Sequence, residues 1–544
     1  MRDDLWYGSH LSRRDFIRYS GMLSSATAIT AGLAACGGDD KSSDKTSSDK
    51  KGAPASGTGG AQGTIEATLA FTLSSGFDPR NASSAVATAV NAHVFEALVD
   101  LDPITRKPYL ALAKEQPKAS ADGLTWTVAL RDGAKFSDGS PVTAQDVAWS
   151  FQRAADPKVL MAGFIPFIED VTAKDDATVV FKLKAPFSLF ADRIAAIKIV
   201  PKAKTGDDAA ATKFDTAPIG SGPFTVESAN ATSGVVMGVN PNYNGPRAAK
   251  VTKITLNTTP DNSARLNDLQ GGQAQAIEAV PYLDVESLKA SHKVDEKQAF
   301  NLLFLMFNCN AAPFDDKRVR QALHYAIDAD KVVQTALQGH GTPATSYLDK
   351  GNPNYQQAAT VYGHDPEKAK SLLSQAGVSD LSFELVTTDT GFIKDSAPLL
   401  IDAWKQIGVS AKLNTNPSSA VYETLVPARK FRVLAASGDP SVFGPDVDLL
   451  LRWYYYGKVW MGDRARWKTP TAKRVEKMLD QAAAASGDEQ MQLWKQVIDA
   501  VSDEAPLYPV FHTKTITGSD SDAISGFEGA ATTGLYFLDA SRNT

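Results

Sequence analysis

Catalysis or metal binding needs titratable and nucleophilic side chains at defined spacings, and this sequence is sparing with them. Its seven histidines are scattered at positions 10, 93, 292, 324, 340, 364 and 512. None forms the H-E-x-x-H pair, or another close pair, that would bring two imidazoles to one metal ion. There is no G-x-x-x-x-G-K-[ST] loop to cradle a phosphate and no G-x-S-x-G elbow to present a serine nucleophile. Gly220-Ser221-Gly222 is flanked by Pro218 and Pro223, which fits a rigid turn better than a phosphate loop. Carboxylates are plentiful enough for an acid–base pair, but no spacing marks one. Cys309 ends the apolar run Leu302-Leu303-Phe304-Leu305-Met306-Phe307-Asn308 and reads as a buried, inert thiol. The expectation is a protein with no catalytic set, no metal and no cofactor.

The other cysteine has a different context. Arg13 and Arg14 precede Asp15-Phe16-Ile17, Arg18 adds charge, and Tyr19 to Ala35 is a mildly apolar run rich in Ser, Thr and Gly. A permanent membrane span needs about 20 strongly apolar residues. A basic region, a short apolar region and small residues at its end describe an export signal instead, and the arginine pair fits the twin-arginine type. Leu33-Ala34-Ala35-Cys36 resembles the bacterial lipobox, which makes Cys36 the expected lipidation site. Two acyl chains there would anchor the protein at about 0.8 kcal/mol per buried CH2. Gly37 to Gly63 is Gly, Ser, Asp and Lys with almost no large apolar side chain, the composition of a flexible tether. Residues 1–35 are therefore read as signal and 36–63 as tether.

Removing residues 1–35 leaves 52 basic against 59 acidic side chains. That mild acidity argues against nucleic acid as a partner, since a basic face would be expected. The remaining length exceeds what one core usually serves and suits two or three lobes. With Cys309 the only cysteine after Cys36, the mature chain has no intramolecular disulfide.

Order should begin near Thr64. Ile65, Ala67, Leu69 and Phe71 alternate with smaller or polar residues, as do Leu124, Trp126, Val128 and Leu130, then Val179, Phe181 and Leu183, then Ile254 and Leu256. A period of two predicts strands. Thr143 can cap a helix with Asp146 in its first turn and Val147 and Phe151 on one face. Pro313 is expected to open a helix near Asp315 and Asp316, with Val319, Ala322, Leu323, Ala326 and Ile327 on its buried side. Asp365-Pro366-Glu367 starts another and Gly377 stops it. Strands interspersed with helices predict an α/β protein.

Four segments together resemble the large extracytoplasmic solute-binding proteins of ABC importers, family 5, the peptide, opine and nickel group. They are Phe136-Ser137-Asp138-Gly139-Ser140-Pro141-Val142-Thr143 running to Phe151, Pro218-Ile219-Gly220-Ser221-Gly222-Pro223-Phe224 with Asn240-Pro241-Asn242-Tyr243 behind it, Pro313-Phe314-Asp315-Asp316-Lys317-Arg318-Val319-Arg320 running to Asp328, and Asp365-Pro366-Glu367-Lys368-Ala369-Lys370. The resemblance implies a type II periplasmic-binding-protein-like fold of two α/β lobes and a hinge, with an extra subdomain in lobe one. Lobe I would comprise 64–100, 217–305 and 508–544, the inserted subdomain 101–216, and lobe II 306–507. Arg318 and Arg320 are expected in ion pairs on a helix flank. The implied function is a lipid-anchored, non-enzymatic receptor outside the cytoplasm. It would capture a peptide or amino-acid conjugate by hinge closure and, as a monomer, deliver it to permease subunits with their ATPase. An exported hydrolase, or a receptor for an oligosaccharide, opine or metal chelate, is the alternative.

The resemblance also places a cleft wall at Leu434 to Asp446, with Ala435, Ser437, Asp439, Ser441 and Phe443 as ligand contacts. Relatives that bind peptides pair this strand with the peptide backbone and offer an aspartate to its ammonium group. Asp439 matches that aspartate best, with Asp446 and Asp448 as competitors and a turn before Pro440 as the other reading. Beside it, Arg452, Trp453 and Trp460 belong to an aromatic cluster with Tyr454, Tyr455 and Tyr456 that suits either stacking on a ligand or core packing. Ser74, Phe77 and Tyr282 are the expected contacts from the opposing lobe.

Overall fold

The computed structural model describes residues 60–82 and 84–543. The signal, Cys36 and the tether up to residue 59 lie outside the described residues. In the first half of the chain the elements that matter here are β1 (Thr64–Leu69), α1 (Ala85–Val94), β2 (Val99–Leu101), β3 (Pro108–Leu110), α2 (Ala144–Ala154), β4 (Phe224–Asn230), β5 (Gly234–Val239), β6 (Lys253–Thr258) and β7 (Ala276–Ile277). Then come β8 (Lys293–Phe307), α3 (Lys317–Tyr325), β9 (Ser382–Thr388), β10 (Ser410–Asn416) and β11 (Val433–Gly438). The chain continues through α4 (Val447–Tyr455), α5 (Pro470–Ala484), α6 (Gly487–Glu504) and β12 (Leu507–Ser519).

One 11-stranded sheet runs in the order β10-β9-β11-β8-β12-β7-β1-β6-β5-β4, with a short strand at Gly341–Pro343 added to β12. β1 is parallel to both β6 and β7, so it sits inside the sheet and even Thr68 on its polar alternation is buried. The expected strand stops at Leu69 rather than reaching Phe71. A separate four-stranded sheet holds Thr125–Ala129 and Thr178–Leu183, and Val128, Val179, Phe181 and Leu183 are buried as their alternation requires.

Two long strands join the halves of the main sheet. β8 pairs with β12 from Lys293 to Gln298 against Lys514 to Ser519, and again from Leu302 to Met306 against Leu507 to His512. The register shifts between Gln298 and Leu302, where the ladder is interrupted and the strands can bend. The lobe boundaries expected at 305–306 and 507–508 both fall within these strands.

Local signals place the helices. Thr143 and Asp146 form a reciprocal capping box on α2, and Val147 and Phe151 are buried on one face. α3 begins at Lys317 rather than Pro313, because the Asp316 side chain accepts from the Arg318 amide and supplies the cap. Its five expected apolar positions, through Ile327 beyond its end, are all buried. Arg318 pairs with Asp316, and Arg320 with Glu504 at 3.3 Å.

The largest apolar core combines residues 98–199 with residues 300–508. At that junction the Phe164 ring lies 5.5 Å from those of Phe443 and Trp453, and the Ser188 hydroxyl donates to the Ala485 carbonyl at 3.0 Å. Arg193, fully buried, reaches Asp446 at 2.7 Å and Asp448 at 2.9 Å. The two chain regions thus share one apolar core and a buried ion-pair cluster.

Candidate functional site

The candidate site is built from the end of β11. Val433 to Ala436 are fully buried, as central strand residues are. β8 lines one edge of β11 along its whole length. β9 lines the other edge only from Val433 to Ala435. Ala435, expected as a ligand contact, thus has strands on both sides and its backbone is committed to the sheet. Ser437 and Gly438 lie past the last β9 partner and are half-buried. Backbone groups there have the geometry to meet an extended ligand, as an added strand would. Gly438 is required for packing, since a Cβ there would overlap the Tyr454 hydroxyl.

Asp439 follows at once and serves two purposes. Its Oδ1 accepts from the Ser441 amide at 3.2 Å and the Ser441 hydroxyl at 2.5 Å, capping the short helical turn Pro440–Phe443. Its Oδ2 accepts from the Thr532 hydroxyl at 2.9 Å and the Thr533 amide at 3.4 Å. Asp439 thus caps the turn at Pro440, the turn reading, and at the same time joins it to the C-terminal tail. Burial pushes its pKa above the usual carboxylate value, against the hydrogen bonds and nearby Arg106 that hold it down.

The facing groups come from distant chain. Arg106 sits in the turn between β2 and β3 with a left-handed φ of 60°, and its guanidinium donates to the Ser441 carbonyl. The tail carrying Thr532 and Thr533 is held by two buried polar groups. Glu278 accepts from the Gly534 amide at 2.6 Å, and His93 accepts from the Phe537 amide through Nε2 at 2.9 Å. Nδ1 of His93 bonds the Ala89 carbonyl at 2.8 Å, so the imidazole is neutral, and burial lowers its pKa to about 4. Tyr536 stacks on that ring and donates to the Thr533 carbonyl at 2.8 Å. None of Arg106, Thr532, Thr533 or Tyr536 was marked by local sequence pattern.

A cavity of about 80 Å³ adjoins this junction, lined among others by Asn91, Arg106, Tyr109, Lys198, Phe443 and Tyr536. Phe443, an expected contact, is thus on its wall and also packs on Trp453 at 5.5 Å.

Other expected contacts stand elsewhere. Arg452 is buried, with its guanidinium committed to Asp448 at 2.8 Å and Asp480 at 3.1 Å, and it stacks over Tyr456. A ligand carboxylate would have to break that network. Asp446 caps α4 and meets Arg193, and Asp448 lies fully buried between Arg193 and Arg452. Both competitors of Asp439 are therefore committed to buried ion pairs. Trp460 is buried edge-on to Tyr454 with ring centres 4.7 Å apart. Trp453 is half-buried against Phe164. Phe77 belongs to the core around β1 and α1, Ser74 is exposed, and Tyr282 stacks on His340 at 5.6 Å. Burial raises the Cys309 thiol pKa to about 11, which keeps it unreactive at neutral pH. Among the described residues, no group of three or more His, Cys, Asp or Glu is arranged to hold a metal.

The chain as a whole is similar to known proteins. The chain is 27% identical over 475 residues to the glutathione-binding protein GsiB of Shigella flexneri, covering 85% of this chain and 91% of the relative. The periplasmic binding protein DppA of Helicobacter pylori, in complex with the peptide STSA, has the same fold with a TM-score of 0.79 and 22% identity, over 89% of this chain and 99% of that one. AgaA of A. tumefaciens R10, in complex with agropinic acid, superposes with a TM-score of 0.77 and 23% identity over the same shares. The fold is accordingly that of a type II periplasmic binding protein. Residues 107–460 match the family described as bacterial extracellular solute-binding proteins, family 5, middle region. The chain belongs to that family.

Proposed function

We propose that this protein is the receptor of an ABC importer for a peptide or amino-acid conjugate, bound in the junction between β11, the tail at 532–537 and the turn bearing Arg106. The observation that carries the reading is Asp439. A half-buried carboxylate at the end of a strand with one unpaired edge is the arrangement that recognises an extended peptide and its ammonium group. Two of the relatives' names point the same way: one is a glutathione-binding protein, another was solved with a peptide. No chemistry is performed. The solute makes contacts with both sides of the junction, and those contacts favour the closed arrangement over the open one.

In this reading Cys36 carries lipid, residues 36–63 are the tether, and the monomeric receptor works outside the cytoplasm and passes its cargo to permease subunits with their ATPase. The test is native mass spectrometry of the chain lacking residues 1–36, followed by titration calorimetry with di- and tripeptides. A bound peptide mass, or saturable binding with one site per chain, supports the reading. Binding of sugars or metal chelates with no peptide binding overturns it.

A further inference from the structure

Charge is unevenly spread over this chain. Lys and Arg number 56 against 62 Asp and Glu overall, yet residues 429–432 and 458–477 hold ten Lys and Arg against two carboxylates, Asp463 and Glu476. The fold brings these segments together. After β8, the Asn308 amide donates to the Arg432 carbonyl at 3.0 Å and the Cys309 amide to the Ala465 carbonyl at 2.8 Å. Arg464 stacks over Trp460 at 4.0 Å and over Tyr422 at 4.7 Å, which ties the turn Lys458–Arg464 to the chain leading into Arg429. The Gly457 amide donates to the Glu476 carboxylate at 3.0 Å and fixes the start of that turn against α5.

The cations gathered here face water. Val475, Met478 and Leu479 form the buried side of α5, so Lys473, Arg474 and Lys477 stand on its outer side. Arg429, Lys430 and Lys468 are exposed as well. None of these six forms an ion pair within 4 Å or a side-chain hydrogen bond among the described residues. Elsewhere on the surface Lys114, Lys289, Lys370 and Lys495 each meet a carboxylate at 2.6–2.9 Å. Arg429 and Arg466 also hold left-handed backbone, at φ 61° and 56°, where glycine or asparagine is the less strained choice. Positive charge is kept even where the backbone disfavours it.

The tether selects the occupant. Residues 37–63 have the composition of a flexible chain, with a root-mean-square span of about 30 Å. A domain held that close to a bilayer by lipid on Cys36 meets its headgroups at high effective concentration. A polybasic patch is one of the signals that reinforce a lipid anchor. We propose that the face formed by 429–432, 458–468 and the outer side of α5 docks on anionic lipid headgroups of the membrane that anchors the protein. The proximity rests on the reading of Cys36 above, and the charge of the face does not.

The experiment is co-sedimentation of the chain lacking residues 1–36 with vesicles of phosphatidylcholine alone and of phosphatidylcholine mixed with phosphatidylglycerol, at low and high salt. Each Lys or Arg near an anionic surface strengthens binding about fivefold, so the anionic vesicles hold the chain at least about tenfold more tightly. High salt removes the difference. Combining Lys473→Glu, Arg474→Glu and Lys477→Glu abolishes it, whereas Lys174→Glu, Lys182→Glu and Lys213→Glu together, exposed on residues 101–216, retain it. Thermal melting and peptide titration of both variants check that fold and solute site are intact. Equal sedimentation with neutral and anionic vesicles, or equal loss in the two triple variants, overturns the proposal and leaves the peptide reading untouched. Capture of double-stranded DNA with no vesicle binding overturns it in favour of another polyanion. Vesicle binding as described with no peptide binding supports this face and overturns the peptide reading alone.

Discussion

Asp439 and Thr532 stand 93 residues apart in the chain, and the threonine hydroxyl donates to the aspartate carboxylate at 2.9 Å. The contact joins the end of β11 to the C-terminal tail, which neutral His93 and Glu278 hold in place from the other side. With Ser441 and Thr533 the carboxylate already has four donors, about the capacity of its two oxygens. An incoming ammonium must displace one of the rotatable hydroxyls, so the site exchanges neutral hydrogen bonds for a charged one.

Asp439→Ala is expected to weaken binding of a free-amine peptide by about 10- to 100-fold, the range of a charge-assisted hydrogen bond. The N-acetylated peptide should lose far less. Calorimetry on both peptides decides the matter, and equal losses would remove the ammonium role from Asp439.

Arg193→Met should destabilise the protein by about 3 kcal/mol, because it leaves fully buried Asp448 with one cation instead of two. The same change loosens the packing of residues 160–193 on 443–490, so small-angle scattering should report a larger radius. Arg193→Lys keeps a cation against Asp446 and Asp448 and should retain part of the melting temperature. No difference between the Lys and Met variants would mean that Arg193 acts through packing and not through its charge.

His93 sets an acid limit. Its pKa is about 4 in the folded chain and about 6.5 when unfolded, so between those values the unfolded chain binds the proton first. Stability is expected to fall as pH drops from 6.5 to 4 and this contribution to level off below that. In urea titrations His93→Asn should be less stable at pH 7, through the changed acceptor for Phe537, yet show a shallower decline across that window. Parallel declines would assign the acid sensitivity to other groups.

If Cys36 carries lipid as proposed, Cys36→Ser is expected to move the protein from the membrane fraction to the soluble one without changing solute affinity. Fractionation and calorimetry on the same preparation test it. A loss of affinity in the soluble form would show that the anchor region takes part in binding.

Local pattern in the sequence reached those features whose causes lie within a few residues. The alternation of Val179, Phe181 and Leu183, the Thr143–Asp146 cap and the buried face of α3 follow from periods of two and 3.6, which any neighbouring chain must respect. The turn at Asp439-Pro440 is equally local. Family resemblance, carried by four short segments, led to the fold class and to this stretch as the cleft wall. Side-chain type could not tell cleft from core, because both bury aromatics: Phe443 lines the cavity while Phe77 and Trp460 are packed inside. Nor could it tell where the partners of each arginine lie. Arg452 has Asp448 four residues away on one helix, a pairing visible in the spacing, yet its second partner, Asp480, comes from α5. Arg106 meets the Asp439 turn only because the β2–β3 hairpin, β11 and the tail converge from positions 106, 439 and 532. Such meetings depend on sheet order and lobe packing, which sum small contributions over the whole chain, so no window of neighbouring residues contains them.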